Sequence, residues 1–215
     1  MKRKPGTPPE RTTYRHGDLR RALIDAGVAL AREGGPDAVV LREATRRAGV
    51  APNAAYRHFA GREDLLRGVR ALALAELALA MEAELAKLKP SKSAAYARAC
   101  VRAVGAGCLE FAQDQPGLYR AAFTIGKAGA GDGDPAKAGR SGLNPFQLLG
   151  AALDKLVAAG VMAPARRPGA EYLAWSAVHG LALLLIEGPL VGRMTRTQAR
   201  AMGQRLLDMV EKGLG

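Results

Sequence analysis

Asn53, Tyr56, Arg57 and His58 fall within six residues of one another in AGVAPNAAYRHF (48–59), interleaved with or next to Pro52, Ala54 and Ala55. All four side chains can donate hydrogen bonds, and no carboxylate sits among them. Such a set suits holding an anion or a polar edge rather than breaking a bond. The small residues keep one side of the segment slim, so whatever it meets comes close. Other reactive side chains are sparse: two cysteines, Cys100 and Cys108, and three histidines, His16, His58 and His179. Neither a CxxC pair nor a histidine cluster accompanies the cysteines, so no disulfide framework and no metal site is expected. Eight residues along a helix separate two thiols by about 12 Å, too far for an internal disulfide. A redox switch would then need one reactive thiol or pairing between subunits. Pairing His179 with Cys108 or Asp114 as a catalytic base lacks a nucleophile motif, a metal constellation or a cofactor loop, so neither an enzyme nor a cofactor is expected.

Charge points elsewhere. Thirty-two Lys and Arg against twenty Asp and Glu give a net +12 and a pI near 10.2. Residues 1–70 hold fifteen basic and eight acidic side chains, a local +7. An anionic partner follows, nucleic acid or a membrane surface, with an Arg-rich coding bias as the plainer alternative. The longest apolar run, Tyr172 to Ile186, is shorter than the roughly 20 residues of a membrane span and carries His179. MKRKPGTPPERTTYRHGD has charge but no apolar run behind it, so no secretory signal is expected and a cytoplasmic location fits.

The elements that must position the donors are helical throughout. Residues 1–13, with three prolines and four basic side chains, predict a flexible basic arm. Asp18 is a candidate cap for a helix whose apolar positions Leu23, Ala26, Gly27 and Leu30 recur at three and four until Gly34-Gly35-Pro36 stops it. Helices are expected at Leu41–Ala48, at Pro52–Phe59 and from Gly61 to near Pro90. Five more are expected at Ser93–Gln113, Pro116–Ile125, Pro145–Ala159, Glu171–Glu187 and Thr195–Lys212. The Gly-rich stretch 126–144 lacks phosphate-loop spacing and reads as a flexible connection.

Two short helices joined by a Gly-containing turn, with a third upstream, make a helix-turn-helix that offers its second helix to the major groove. That groove is about 12 Å wide, so Ala54 and Ala55 would permit close approach and Ala54 would reach a thymine methyl. Asn53 suits an adenine edge; Tyr56, Arg57 and His58 suit phosphate oxygens. Phe59 is expected to turn inward onto Val50 and Leu30. Taken singly, Tyr56 reads equally as a surface tyrosine and His58 as a helix-end histidine.

YRHGDLRRALIDAGVALAREGG (14–35) and VLREATRRAGVAPNAAYRHFAGREDLLRGV (40–69) resemble the DNA-binding domain of TetR-family transcriptional regulators. FAQDQPGLYRAAF (111–123) and EYLAWSAVHGLALLLIEG (171–188) are similar to the C-terminal domain of the Trp-His-Gly (WHG) subgroup, the signature here being Trp175, His179 and Gly180. The resemblance implies an all-α fold: a helix-turn-helix domain over 14–62, joined by a long fourth helix to a helical effector-binding and dimerisation domain over 63–215. DNA contacts would come from Arg42, Pro52, Asn53, Ala54, Tyr56, Arg57, His58 and Arg62. An effector pocket would involve Cys108, Phe111, Tyr119, Trp175 and His179, unless these are simply core residues. A homodimer interface would use Leu181, Leu184, Leu185, Met202, Leu206 and Met209. The implied function is a dimeric regulator, a repressor, on double-stranded DNA with a pseudo-palindromic operator, released by a small hydrophobic or amphipathic effector. The alternative is a constitutive or architectural DNA-binding dimer. Departures from the family pattern are Val40 and Ala51 where side-chain caps are usual, Thr45 and Ala44 at the helix crossing, and Arg62 for a lysine.

Overall fold

The computed structural model describes residues 16–124 and 134–214, with side chains from Leu19 onward. The arm expected over 1–13 and the first part of the Gly-rich stretch lie outside these residues. All regular structure among the described residues is helical.

α1 (His16–Gly34) opens ahead of Asp18, so that residue stands in the first turn and is not the cap. α2 (Leu41–Arg47) starts at Val40 without a side-chain cap. Its far end is closed twice: Gly49 N donates to Arg46 O at 3.3 Å and Val50 N to Thr45 O at 3.1 Å. That pattern needs a left-handed residue, which Gly49 supplies at φ +67°. Thr45 is buried, and its hydroxyl donates to Arg42 O at 2.7 Å, so the departure at this position leaves no unsatisfied group.

α3 (Pro52–Ala55) is a single turn, shorter than the expected Pro52–Phe59. Ala51 provides no side-chain cap, and one turn has too few bonds to propagate. The chain tightens instead, with His58 N and Phe59 N both bonded to Ala55 O at 2.9 Å. This swings Phe59 into the core, where it is almost wholly buried with Leu30 and Val39.

α4 (Arg62–Leu85) packs on α1 with its first turns and on α5 (Ala94–Asp114) with its later ones. Leu65, Leu66 and Val69 belong to the first contact region and Leu77, Ala78 and Met81 lie further along, all buried. The expected boundary at 62/63 therefore falls in the first turn of a helix that serves both ends of the molecule. Ser93 caps α5 by accepting from Tyr96 N at 3.2 Å. α6 (Pro116–Ala122) ends short of Ile125 and packs against both α1 and α4. α7 (Pro145–Ala158) opens on a reciprocal cap between Asn144 and Gln147. α8 (Ala170–Ile186) and α9 (Arg196–Leu214) lie against α5 and each other.

Within the stretch expected to be a flexible connection, residues 134–144 are held down. Arg140 N, Ser141 N and Ser141 Oγ all donate to the Glu82 carboxylate on α4, at 2.9, 2.9 and 2.6 Å. Burial alone would raise the Glu82 pKa, but these bonds outweigh it and keep the group below 4.5.

Candidate nucleic-acid interface and ligand cavity

The segment from Pro52 to His58 stands out from the three-helix head. Pro52, Asn53, Tyr56 and Arg57 are exposed, Tyr56 by 62%, while Ala54 and His58 are half-buried. Ala55 is fully buried: it makes room for α2 and α1, not for an outside surface, because the turn rotates it inward with Phe59. The arginines nearby divide into two sets. Arg46 and Arg47 are bound to Glu43 and Glu33 within the head. Arg42 and Arg57 are exposed and form no ion pair among the described residues. The uncompensated charge thus sits on the finger at Arg57 and in the first turn of α2 at Arg42.

Arg62 behaves differently from the free cation expected of it. Its Nε donates to Val39 O at 3.0 Å and an Nη to Pro36 O at 2.8 Å, with Asp37 and Glu63 alongside. These bonds tie the start of α4 to the turn before α2, and a phosphate would have to share donors already in use.

Four of the five expected pocket residues come together. Tyr119 Oη and His179 Nδ1 share a 2.8 Å hydrogen bond, and the same hydroxyl lies 3.6 Å from Cys108 Sγ. His179 stacks over Trp175 with ring centroids 6.3 Å apart. Phe111 does not join them; α5 turns it to a separate groove beside Gln115 and Glu76. Its place is taken by Phe123, whose ring meets Tyr119, Trp175 and His179 at 4.8, 5.3 and 4.7 Å. Phe146 and Tyr172 extend the aromatic wall. Phe123, Phe146, Tyr172 and Trp175, with Arg70, Lys137 and Asn144, line a cavity of about 300 Å³; of the expected pocket residues only Trp175 borders it, while Cys108 and His179 border a smaller space on the other side of Trp175. Sequence reasoning missed the other residues of the larger cavity, although Phe123 sits in the quoted FAQDQPGLYRAAF one helical turn beyond Tyr119.

Burial pushes the Cys108 thiol up to about 12, against the smaller opposing effect of its bond to Tyr119. Cys100 is buried too. The folded chain is therefore expected to resist Ellman's reagent at pH 8 and to react at both thiols once unfolded; prompt reaction of the native protein would refute this.

Burial also lowers the His179 pKa below 6.5, with Glu187 pulling weakly the other way. A histidine depressed in the folded state binds fewer protons there than in the unfolded chain. Its contribution to stability is complete above 6.5 and falls as pH drops through that value toward the folded pKa. Chemical unfolding at pH 7.5 and 5.5 should show this loss, reduced in His179→Gln; an unchanged slope would exclude the assignment.

On the outer side of α8, Leu173 and Leu184 are exposed by 70% and 43%, and a side chain at Gly180 would meet nothing within 4 Å. Met209 on α9 is 61% exposed, while Leu185, Met202 and Leu206 are half-buried. Leu181 faces inward at 7% exposure, because α8 packs that side on α5. It is unavailable for the partner contact expected of it.

A three-helix head with an exposed one-turn finger, set on a helical body with an aromatic cavity, defines a helix-turn-helix regulator. The family model for bacterial regulatory proteins of the tetR family matches residues 23–69, and that for the tetracyclin repressor-like C-terminal domain, of the Trp-His-Gly type, matches residues 101–210. The chain belongs to the tetR family of transcriptional regulators, which are not enzymes.

Among solved structures, a protein of unknown function from Rhodococcus sp. RHA1 is similar at 23% identity and TM-score 0.70, over 95% of this chain and 99% of that one. The transcriptional regulator FadR from Bacillus subtilis, solved with stearoyl-CoA, is similar at 16% identity and TM-score 0.62, over 91% and 99%. The TetR-family regulator PfmR from Thermus thermophilus follows at 17% and 0.55, over 90% and 98%. Among curated proteins none matches. No helix among the described residues is long and apolar enough to cross a membrane.

Proposed function

We propose that the chain acts as a homodimeric repressor that reads a pseudo-palindromic operator with the Pro52–His58 finger and releases it when a small effector fills the aromatic cavity. The observation that carries this reading is the exposed finger with Arg57 on it and Arg42 in the first turn of α2, two exposed cations with no acid partner among the described residues. Asn53 and Ala54 lead the finger and would meet base edges. Tyr56, Arg57 and His58 would meet phosphates, whose contacts fix register without reading sequence. The exposed apolar stripe of Leu173, Gly180, Leu184 and Met209 supports a two-fold pairing through α8 and α9. Two fingers so related would contact half-sites roughly 34–36 Å apart.

An effector role for the body is supported by the cavity, which α4, α7 and α8 line together with Phe123 just past the end of α6; α4 and α6 also pack on α1 of the head. FadR of Bacillus subtilis, a protein of this fold, was solved in complex with stearoyl-CoA, which supports an acyl compound as a candidate effector class. A ligand preferring the body geometry of the DNA-free state would lower operator affinity by that preference and by no more.

Footprinting on promoter fragments of the source genome should give one protected inverted repeat, released by a metabolite extract. A protein that is monomeric and ignores duplex DNA would overturn the reading; a bound operator that no extract releases would leave a constitutive binder. In the same assay, Arg57→Ala should weaken binding evenly across sequences and reduce the slope of log affinity against log salt by about 0.9. A change in sequence preference with the slope intact would instead place Arg57 on a base.

A further inference from the structure

Trp175 is the shared wall of two spaces inside the body. On one side lies the cavity of about 300 Å³, at the lower end of the volume range for small-molecule sites. On the other is an apolar space of about 20 Å³ bounded by Met81, Val104, Cys108, Val178 and Leu207. The charged groups among the described residues lining the larger cavity are both cations, Arg70 and Lys137. Lys137 is buried, and Arg70 is half-buried.

Arg70 is held by one edge. Its Nε donates to Ala122 O at 3.0 Å, the final carbonyl of α6, which sets the plane of the guanidinium. Among the described residues no acceptor meets its two Nη atoms. A planar fork with one edge anchored and terminal donors unspent, at the wall of a cavity with no described acid, is a receptor for a planar anion. A carboxylate accepts two parallel N–H bonds from such a fork, which an alcohol or an amide cannot do. Phe123, Phe146, Tyr172 and Trp175 supply the complementary surface, an aromatic trough for an apolar chain.

Building on the effector reading above, we propose that the ligand is an apolar chain ending in a carboxylate, its head on Arg70 and its chain along Phe146 and Trp175. The placement also gives the charge a route to the head. Arg70 directly follows Val69, which is buried in the α1–α4 contact region, and the carbonyl it holds terminates α6, which packs on α1. An anion on the two Nη atoms loads the same guanidinium whose Nε joins α4 to the end of α6, whereas a neutral ligand would fill the trough and leave that guanidinium alone.

Calorimetric titration of the full chain with decanoate and with decanol, both below their aggregation thresholds, separates head from chain. Decanoate should bind at least about tenfold tighter than decanol, Arg70→Gln should erase that preference, and Arg70→Lys should retain part of it. Equal binding of the two by the unaltered chain, tighter binding of decanol, or binding of neither overturns the proposal, and that comparison needs no variant to fold. Operator release is read separately by fluorescence anisotropy. Release by an effector of other chemistry, with no carboxylate preference, leaves the regulator reading standing while this one fails. A carboxylate preference without release supports the site and removes the switch.

Discussion

Phe59→Ala is expected to destabilise the head by about 3–5 kcal/mol and to abolish operator binding near the growth temperature. The ring is 1% exposed, lies in the core that includes Leu30 and Val39, and carries the Arg20 guanidinium 5.2 Å above its centroid. It is also the residue on which the finger closes, since Phe59 N and His58 N share Ala55 O. Truncation removes a large buried surface and the anchor of a helix only one turn long, which has no side-chain cap to hold it otherwise. Phe59→Leu should recover most of the stability, because it restores apolar volume. Urea unfolding followed by circular dichroism checks both variants. A loss below about 1 kcal/mol for the alanine variant would mean that the finger is held by something other than this core.

Gly117→Ala should produce the second large effect, at the place where body meets head. A methyl group there would run into Ala31 O and lie 3.0 Å from Arg32 O and 3.1 Å from Gly35 N. These are backbone atoms at the end of α1, so no rotamer change relieves the clash. The two helices would have to separate, at a cost of about 1–3 kcal/mol for overpacking. Because Phe123, directly after α6, lines the cavity, the shift would reach it. The expected result is lower stability together with altered operator affinity in the absence of any effector. Gly213→Ala, in the last turn of α9, is the control: it is exposed, and nothing in the chain lies within 4 Å of the added carbon, so folding should be unaffected. Similar losses for both variants would remove the close α1–α6 approach as the cause.

Much of the helical layout was legible because its signals are local. Gly34-Gly35-Pro36 stops α1, Gly49 closes α2, Pro52 opens α3 and Pro145 opens α7, each through backbone geometry settled within a few residues. The uncapped starts at Val40 and Ala51 were legible for the same reason. What they did not reveal is that α3 would stop after one turn, since that depends on where the core draws Phe59.

The site was less legible, and the misplacements share a cause. Arg62 read as a free cation, Ala55 as a slim outer surface, Leu181 as a partner contact and Phe111 as a pocket wall. Each lies on the expected helix but faces another way. Of the cavity residues, Arg70 carried no motif, and Phe123, although it ends a quoted segment, was not singled out.

Composition, turn chemistry and residue spacing by themselves determined an all-helical chain with a basic helix-turn-helix head and the donors of its finger. Tertiary structure alone decided which faces of those helices are occupied: the carbonyls that engage Arg62, the core that claims Ala55 and Leu181, and the cavity that gathers Arg70 with Phe123 and Trp175. Helix ends are set by bonds between near neighbours, whereas a side chain's surroundings are set by how helices distant in sequence cross.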